Sequence, residues 1–248
     1  MAVPTFFRLN GYFRQHIRLC RQEPREGLIA ALVAAEEEGD RLSEDELVAM
    51  LFLLLIAGHE TTVHLITSTV IALVNRPDQK AKLMADWSRA ETAVDESLRF
   101  NSPVLFAKAR YVAHDMEFYG QQLKRGDYIV PALAAANRDE AQFENAEEFD
   151  VARTANRHLA LGSGVHFCLG AKLTRTEAAI AIQALLTRFP NLELAIPAEE
   201  IPYVTNLGVI RGVESLPVRL GGSTRPTASS IVCHQAKCDT IACDSLAG

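Results

Sequence analysis

One cysteine in this sequence stands where its sulfur could do chemistry. Cys168 lies near the end of the run Leu161-Gly162-Ser163-Gly164-Val165-His166-Phe167-Cys168-Leu169-Gly170, and an apolar series at helical spacing (Leu173, Ala178, Ala179, Ile182, Leu185, Leu186) begins directly behind it. Gly162, Gly164 and Gly170 allow backbone conformations and close approaches that side chains would block, so the run can lie nearly flat against a large planar ligand. A cysteine just before a helix meets unsatisfied N–H groups and the positive end of the helix dipole, which favour thiolate over thiol. The sulfur is then ready to be a ligand or a nucleophile; a buried, inert cysteine behind a glycine turn is the plainer alternative.

Two further groupings carry polar chemistry in unusual places. Ala57-Gly58-His59-Glu60-Thr61-Thr62 interrupts a long apolar stretch, where glycine costs about 1 kcal/mol relative to alanine and threonine can bond back to the preceding turn. Such local inconsistency marks either a functional site or threonines that satisfy helix carbonyls while Glu60 meets solvent. Glu96 and Arg99 stand at i and i+3 on one helical face and can pair, as ordinary surface salt bridges do.

The elements that must position these groups are mostly helical. Residues 5 to 22 read as a basic amphipathic helix, and residues 27 to 38 as a second, short one. Ser43-Glu44-Asp45-Glu46 forms a capping box opening a helix that runs to Asn75-Arg76-Pro77. Its first half is apolar on every face, which predicts an interior course. Helices over residues 78 to 85 and 88 to 100 follow. Alternation over 106 to 112, 116 to 119 and 127 to 130 predicts strands, and short closing strands are expected before Leu220. The fold class is therefore mainly α with small β-sheets, an α+β arrangement.

Composition narrows the partners. A net charge of −6 leaves no basic surplus for nucleic acid. The five cysteines form an odd set with no secretory signal before them, which suggests a reducing cytoplasm. The apolar run Leu47 to Ala57 is too short to span a bilayer, and no membrane anchor is expected. From Gly221 the sequence is linker-like, and residues 221–248, with Cys233, His234, Cys238 and Cys243, read as a disordered tail rather than a zinc site.

The Cys168 loop resembles the haem-binding loop of the cytochrome P-450 family, Phe-Gly-x-Gly-x-(His/Arg)-x-Cys-x-Gly. Gly162, Gly164, His166, Cys168 and Gly170 match, and Leu161 stands where the family has Phe. Residues 57 to 61 resemble the family's oxygen-activating motif, Glu96-Ser97-Leu98-Arg99 its Glu-x-x-Arg helix, and residues 143 to 153 its meander. The resemblance implies the cytochrome P-450 fold with Cys168 as axial ligand of haem b. Ala57 and Gly58 would leave room over the iron, Arg110 and His158 would hold propionates, and Glu60 and Thr61 would deliver protons. Glu96, Arg99 and Arg153 would form a structural triad. Val104, Leu105, Phe106, Leu207 and Val209 would touch substrate.

By that resemblance the chain is a soluble, cytoplasmic monooxygenase that activates O2 at Cys168-ligated iron and inserts one oxygen atom into a small organic substrate. Electrons would come from NAD(P)H through a ferredoxin or flavodoxin-type donor docking near Lys172 and Arg175. The resemblance covers residues 1–220 and implies the C-terminal portion of a haem domain, without the usual N-terminal part. The alternative is a non-catalytic haem-binding fragment, or half of a split enzyme completed by a second chain.

Overall fold

A computed structural model describes residues 2–23, 26–37, 42–206 and 208–221. Their contacts divide the chain into two compact units, one ending at Glu60 and the other beginning at Thr61.

The first unit holds α1 (Ala2–Gln22), α2 (Leu28–Glu37) and the opening of α3 (Glu44–Val74). On α1, Leu9, Phe13, Ile17 and Cys20 recur at helical spacing, and this stripe packs on Val33 of α2 and on Leu47, Val48 and Leu51 of α3. Arg14 fixes the polar edge by reaching Glu44 at 3.0 Å and also Asp45. The capping box is present: the Ser43 N–H donates to Glu46 Oε2 at 2.8 Å, and the Glu46 N–H to Ser43 Oγ at 3.3 Å.

The course of α3 corrects the expectation that its whole apolar first half is interior. Leu47, Val48 and Leu51 are buried, whereas Leu53, Leu55 and Ile56 are exposed. Residues 47, 48 and 51 share one face, which α1 and α2 cover; the other faces have no such cover among the described residues. The 31-residue α3 is also long and apolar enough to cross a membrane by length and composition, unlike the shorter run from which no anchor was expected. Its later part nevertheless supplies Leu65 and Val70 to Leu73 to the cores of the second unit.

In the second unit, α4 (Pro77–Ala85), α5 (Ala90–Phe100) and α7 (Ala171–Arg188) pack with the end of α3. Val70, Leu73, Leu83, Ile182, Leu186 and Leu192 are among the residues of one core cluster. Leu65, Val94, Leu98, Leu161, Ala171 and Ala178 belong to a second, against which Cys168 lies.

The strands are shorter than alternation suggests. β1 (Arg110–Tyr111) pairs antiparallel with β4 (Tyr128–Ile129), while β2 (Met116–Phe118) pairs with β3 (Gln121–Leu123), an element the alternation did not indicate. α6 (Leu133–Ala136) is one turn long. β5 (Glu193–Leu194) pairs with β8 (Val218–Arg219), and β6 (Tyr203–Asn206) with β7 (Ile210–Val213). Gly212 on β7 admits the buried His64 of α3: a Cβ there would come within 2.0 Å of the imidazole, so any side chain would expel the ring. These elements and pairings make the fold mainly α with small β-sheets.

Candidate functional site

The Cys168 loop is built by its own backbone. The Gly162 N–H donates to Leu159 O at 2.8 Å, and the Cys168 N–H to Leu161 O at 2.8 Å. Gly162 has φ +74°, and a Cβ there would stand 3.0 Å from His166 O, so a side chain at this turn would be conformationally strained and crowded against that carbonyl. Leu161 is buried against α5 and α7, which anchors one end of the loop. The other end enters α7 at Gly170, whose carbonyl accepts from the Thr174 N–H at 2.9 Å.

Between those anchors the loop turns outward. Val165 and Leu169 are 97% and 90% exposed and Phe167 is 52% exposed, while Cys168 is a free thiol in a half-buried position. A loop that buries Leu161 yet presents three apolar side chains beside a free cysteine suits an apolar, planar ligand with a thiophilic centre. Its helix begins at Ala171, three residues after the sulfur-bearing position.

The approach to the loop is held by buried polar contacts. The Leu159 N–H donates to Asn137 Oδ1 at 2.7 Å, and Asn137 is itself fully buried. The buried side chain of His158 lies with Nε2 3.2 Å from Asp95 Oδ1, an oxygen that also accepts from Arg175 Nε at 2.7 Å. His158 Nδ1 is buried and has no hydrogen-bond partner among the described residues. With both ring nitrogens protonated, the ring can donate to Asp95 on one side and to an anion on the other. The carboxylate edge of a haem fits that orphaned nitrogen as its apolar plane fits the loop.

Asp95 was not found from sequence, since its partners lie 63 and 80 residues away. The only local sign is a second acid beside Glu96. The pairing also changes the reading of Arg175, whose guanidinium is engaged internally; Lys172 is the exposed cation of the two. Burial by itself pushes the Asp95 carboxyl up, but the hydrogen bonds from His158 and Arg175 outweigh it and hold the group below its ordinary value. A carboxyl depressed on folding contributes its stability above the unfolded pKa, about 4, and loses it as pH falls through the lower folded value. The stability gap between wild type and Asp95→Asn should therefore be widest near neutrality and shrink below about pH 4. Denaturation midpoints against pH check this, and a pH-independent gap would remove the ion pair from the explanation.

Glu96, Arg99 and Arg153 come together. Arg99 grips Glu96 with two hydrogen bonds of 2.8 Å, both side chains are fully buried, and Arg153 Nε approaches the same carboxylate to 3.1 Å. Arg99 Nη1 also donates to Asn137 O and Ala146 O, and Nη2 to Glu148 O.

The remaining expected site residues are distributed more loosely. Arg110 is exposed on β1 with Nη1 3.3 Å from Lys108 O. Gly164 and His166 bound the short 3-10 turn within the Cys168 loop, and Gly170 stands so that an added Cβ would be 4.0 Å from the sulfur. Ala57 and Gly58 are exposed on α3, and Glu60 and Thr61 are half-buried. Ala57, Gly58 and Glu60 belong to the first unit and Thr61 opens the second. Val104 bridges to Ile210 and Leu105 donates to Val209 O at 2.9 Å, which brings these to one place; Phe106 and Val209 share a cavity with Val104. Leu207 and residues 222–248, including the tail cysteines, lie outside the described residues.

Comparison with known proteins points the same way. The sequence model of the family described as Cytochrome P-450 matches residues 8–200. The polyketide biosynthesis cytochrome P-450 PksS of Bacillus subtilis is 46% identical over 209 residues, covering 84% of this chain and 51% of that protein. Its solved structure superposes with TM-score 0.81 at 45% identity, over 86% of this chain and 55% of that one. The ligand-free monooxygenase TamI gives TM-score 0.84 at 40% identity, over 89% and 54%. The monooxygenase PikC of Streptomyces venezuelae is 41% identical over 88% of this chain and 52% of its own. The chain thus spans about half the length of the relatives it matches, and with a family match running through both units and ending beyond Cys168, the chain belongs to the cytochrome P-450 family.

Proposed function

We propose that this chain binds haem b through Cys168 and contributes the thiolate side of a monooxygenase acting on a small organic substrate. The observation that carries this reading is the pairing of a free, half-buried Cys168 in an outward apolar loop with the buried, unpartnered Nδ1 of His158 nearby in sequence. Haem held by a cysteine thiolate supplies a redox centre whose electron-rich sulfur favours O–O cleavage.

The chain's own residues divide the remaining work. His158 and Arg110 take the two propionates, His158 through Nδ1 and Arg110 through its exposed guanidinium. Leu161, Gly162, Gly164, His166 and Gly170 shape the bed around the sulfur. Glu60 relays protons from solvent and the Thr61 hydroxyl passes them on, as groups within hydrogen-bond or one-water reach can. Val104, Leu105, Phe106 and Val209 hold the substrate, with Leu207 completing that turn. Electrons enter from NAD(P)H through a ferredoxin or flavodoxin-type donor, with exposed Lys172 available to an acidic partner. The site of action is a reducing cytoplasm, which suits the two free cysteines among the described residues.

The second reading follows from coverage of about half of each relative: residues 1–220 act as the C-terminal portion of a haem domain, and a second chain completes it. Turnover with surrogate donors separates the two, measured for the haem-loaded chain alone and with the remaining family length supplied in trans. In whichever arrangement turns over, Thr61→Ala should lower product formed per NAD(P)H severalfold while peroxide rises. Unchanged coupling would take Thr61 out of proton delivery, and absence of turnover in both arrangements would defeat the monooxygenase reading.

A further inference from the structure

The cavity beside β1 carries one cation that the roles above leave unused. Its volume is about 560 Å³, within the range of small-molecule sites, and Val104, Phe106, Ala109, Val130 and Val209 supply apolar wall. Lys108 is its charged lining residue, and no residue of the Cys168 loop takes part. The segment bearing Lys108 is held on both sides. Phe106 bridges Ala132, the Ala107 N–H donates to Pro131 O at 2.9 Å, and β1 pairs with β4. The backbone that presents Lys108 is therefore fixed at several points.

Several other cations of this unit meet acids, Lys82 on Asp150, Lys124 on Asp115, Arg138 on Glu147 and Arg175 on Asp95, while Lys108 is exposed. The ammonium of Lys108 has neither a carboxylate nor a hydrogen-bond acceptor among the described residues, although it lines an apolar cavity. An ammonium at the edge of apolar walls recognises an amphiphile whose anionic head meets the charge while its hydrocarbon enters the cavity.

We infer that Lys108 anchors the carboxylate of an apolar carboxylic-acid substrate, of the fatty-acid class, in this cavity. The inference rests on the proposed placement of substrate at Val104, Phe106 and Val209 and narrows its chemistry. A carboxylate on Lys108 could also be a haem propionate; the assignment here is to the substrate, because the cavity's lining is apolar and excludes the cysteine loop.

The test uses the full chain with and without added haem. Calorimetric affinities for dodecanoate and 1-dodecanol are measured on wild type and on Lys108→Met, which keeps the stem and removes the charge. Wild type should prefer the acid by about tenfold or more, and Lys108→Met should remove that preference while keeping its affinity for the alcohol. The acid preference of wild type should also weaken with salt. Equal wild-type affinities for acid and alcohol, or a preference that survives in Lys108→Met, overturn the assignment. So does a Lys108→Met chain that keeps the preference but loses haem affinity, since Lys108 would then serve a propionate. Failure of the chain to take up haem would count against the proposed function alone, because the acid preference is read equally on the haem-free chain.

Discussion

Cys168→Ala is expected to abolish the red-shifted Soret band that the haem-loaded, reduced chain should give under carbon monoxide, whereas Cys20→Ala leaves it intact. The two cysteines differ in setting rather than in oxidation state, for both are free thiols and both are half-buried. Cys20 sits inside α1 and packs with Phe13, Ile17 and Leu51, so its sulfur serves as a small apolar group. Cys168 sits in a loop whose backbone is closed by its own N–H on Leu161 O, with Val165, Phe167 and Leu169 facing outward around it. Only the second setting lets a sulfur meet a planar apolar ligand. The effect should be all-or-none in the spectrum, because the loop holds no second thiol and the imidazole of His166 would not reproduce the red-shifted band; a band retained in Cys168→Ala would transfer ligation to another cysteine. Far-ultraviolet circular dichroism of the variant should match wild type, since the helix behind the loop begins at Ala171 and is held by Ala178, Ile182 and Leu186.

What could be read from the sequence follows the range of the interactions involved. The Cys168 loop is legible because its glycines, cysteine and following helix are contiguous, and the Ser43–Glu46 box because both partners lie within one turn. The pairing of Glu96 with Arg99 is local in the same way, but its full burial is not, since that comes from packing by Asn137, Ala146 and Glu148, 38 to 49 residues further on. Asp95 was missed for the same reason: a carboxylate is ordinary on a helix until a distant His158 and Arg175 converge on one of its oxygens. Apolar periodicity misled on α3 because hydrophobicity on every face states only what burial would be favourable. The neighbours α1 and α2 cover the face of Leu47, Val48 and Leu51, and Leu53, Leu55 and Ile56 stay exposed. The strands failed as lengths rather than as places, because alternation marks extended chain while pairing is limited to the residues a partner can reach.

Glu96→Ala should cost about 3–5 kcal/mol, the range for breaking a buried ion pair by removing one partner. Against a typical domain stability of about 5–15 kcal/mol, that is a large fraction of the whole. The physical reason is the number of donors left behind. Glu96 accepts from Arg99 Nε and Nη2, from Arg153, from the Asp150 N–H at 2.9 Å and from Asn156 Nδ2 at 3.2 Å. Without the carboxylate, Arg99 remains as a fully buried charge that faces carbonyls and the rings of Phe100 and Phe143 but no anion among the described residues. The damage should also reach the cysteine loop. Arg99 holds the Asn137 carbonyl, and the Asn137 side chain holds the Leu159 N–H, two residues before Leu161 anchors the loop. Denaturant midpoints should therefore fall sharply in Glu96→Ala, and haem affinity should fall with them even at temperatures where the variant is still folded. Glu147→Gln is the matched control, since its partner Arg138 meets it on the surface with the acid 67% exposed; its midpoint should scarcely move. A Glu96→Ala midpoint as close to wild type as that of Glu147→Gln would show that the cluster is not what holds the meander and the loop in place.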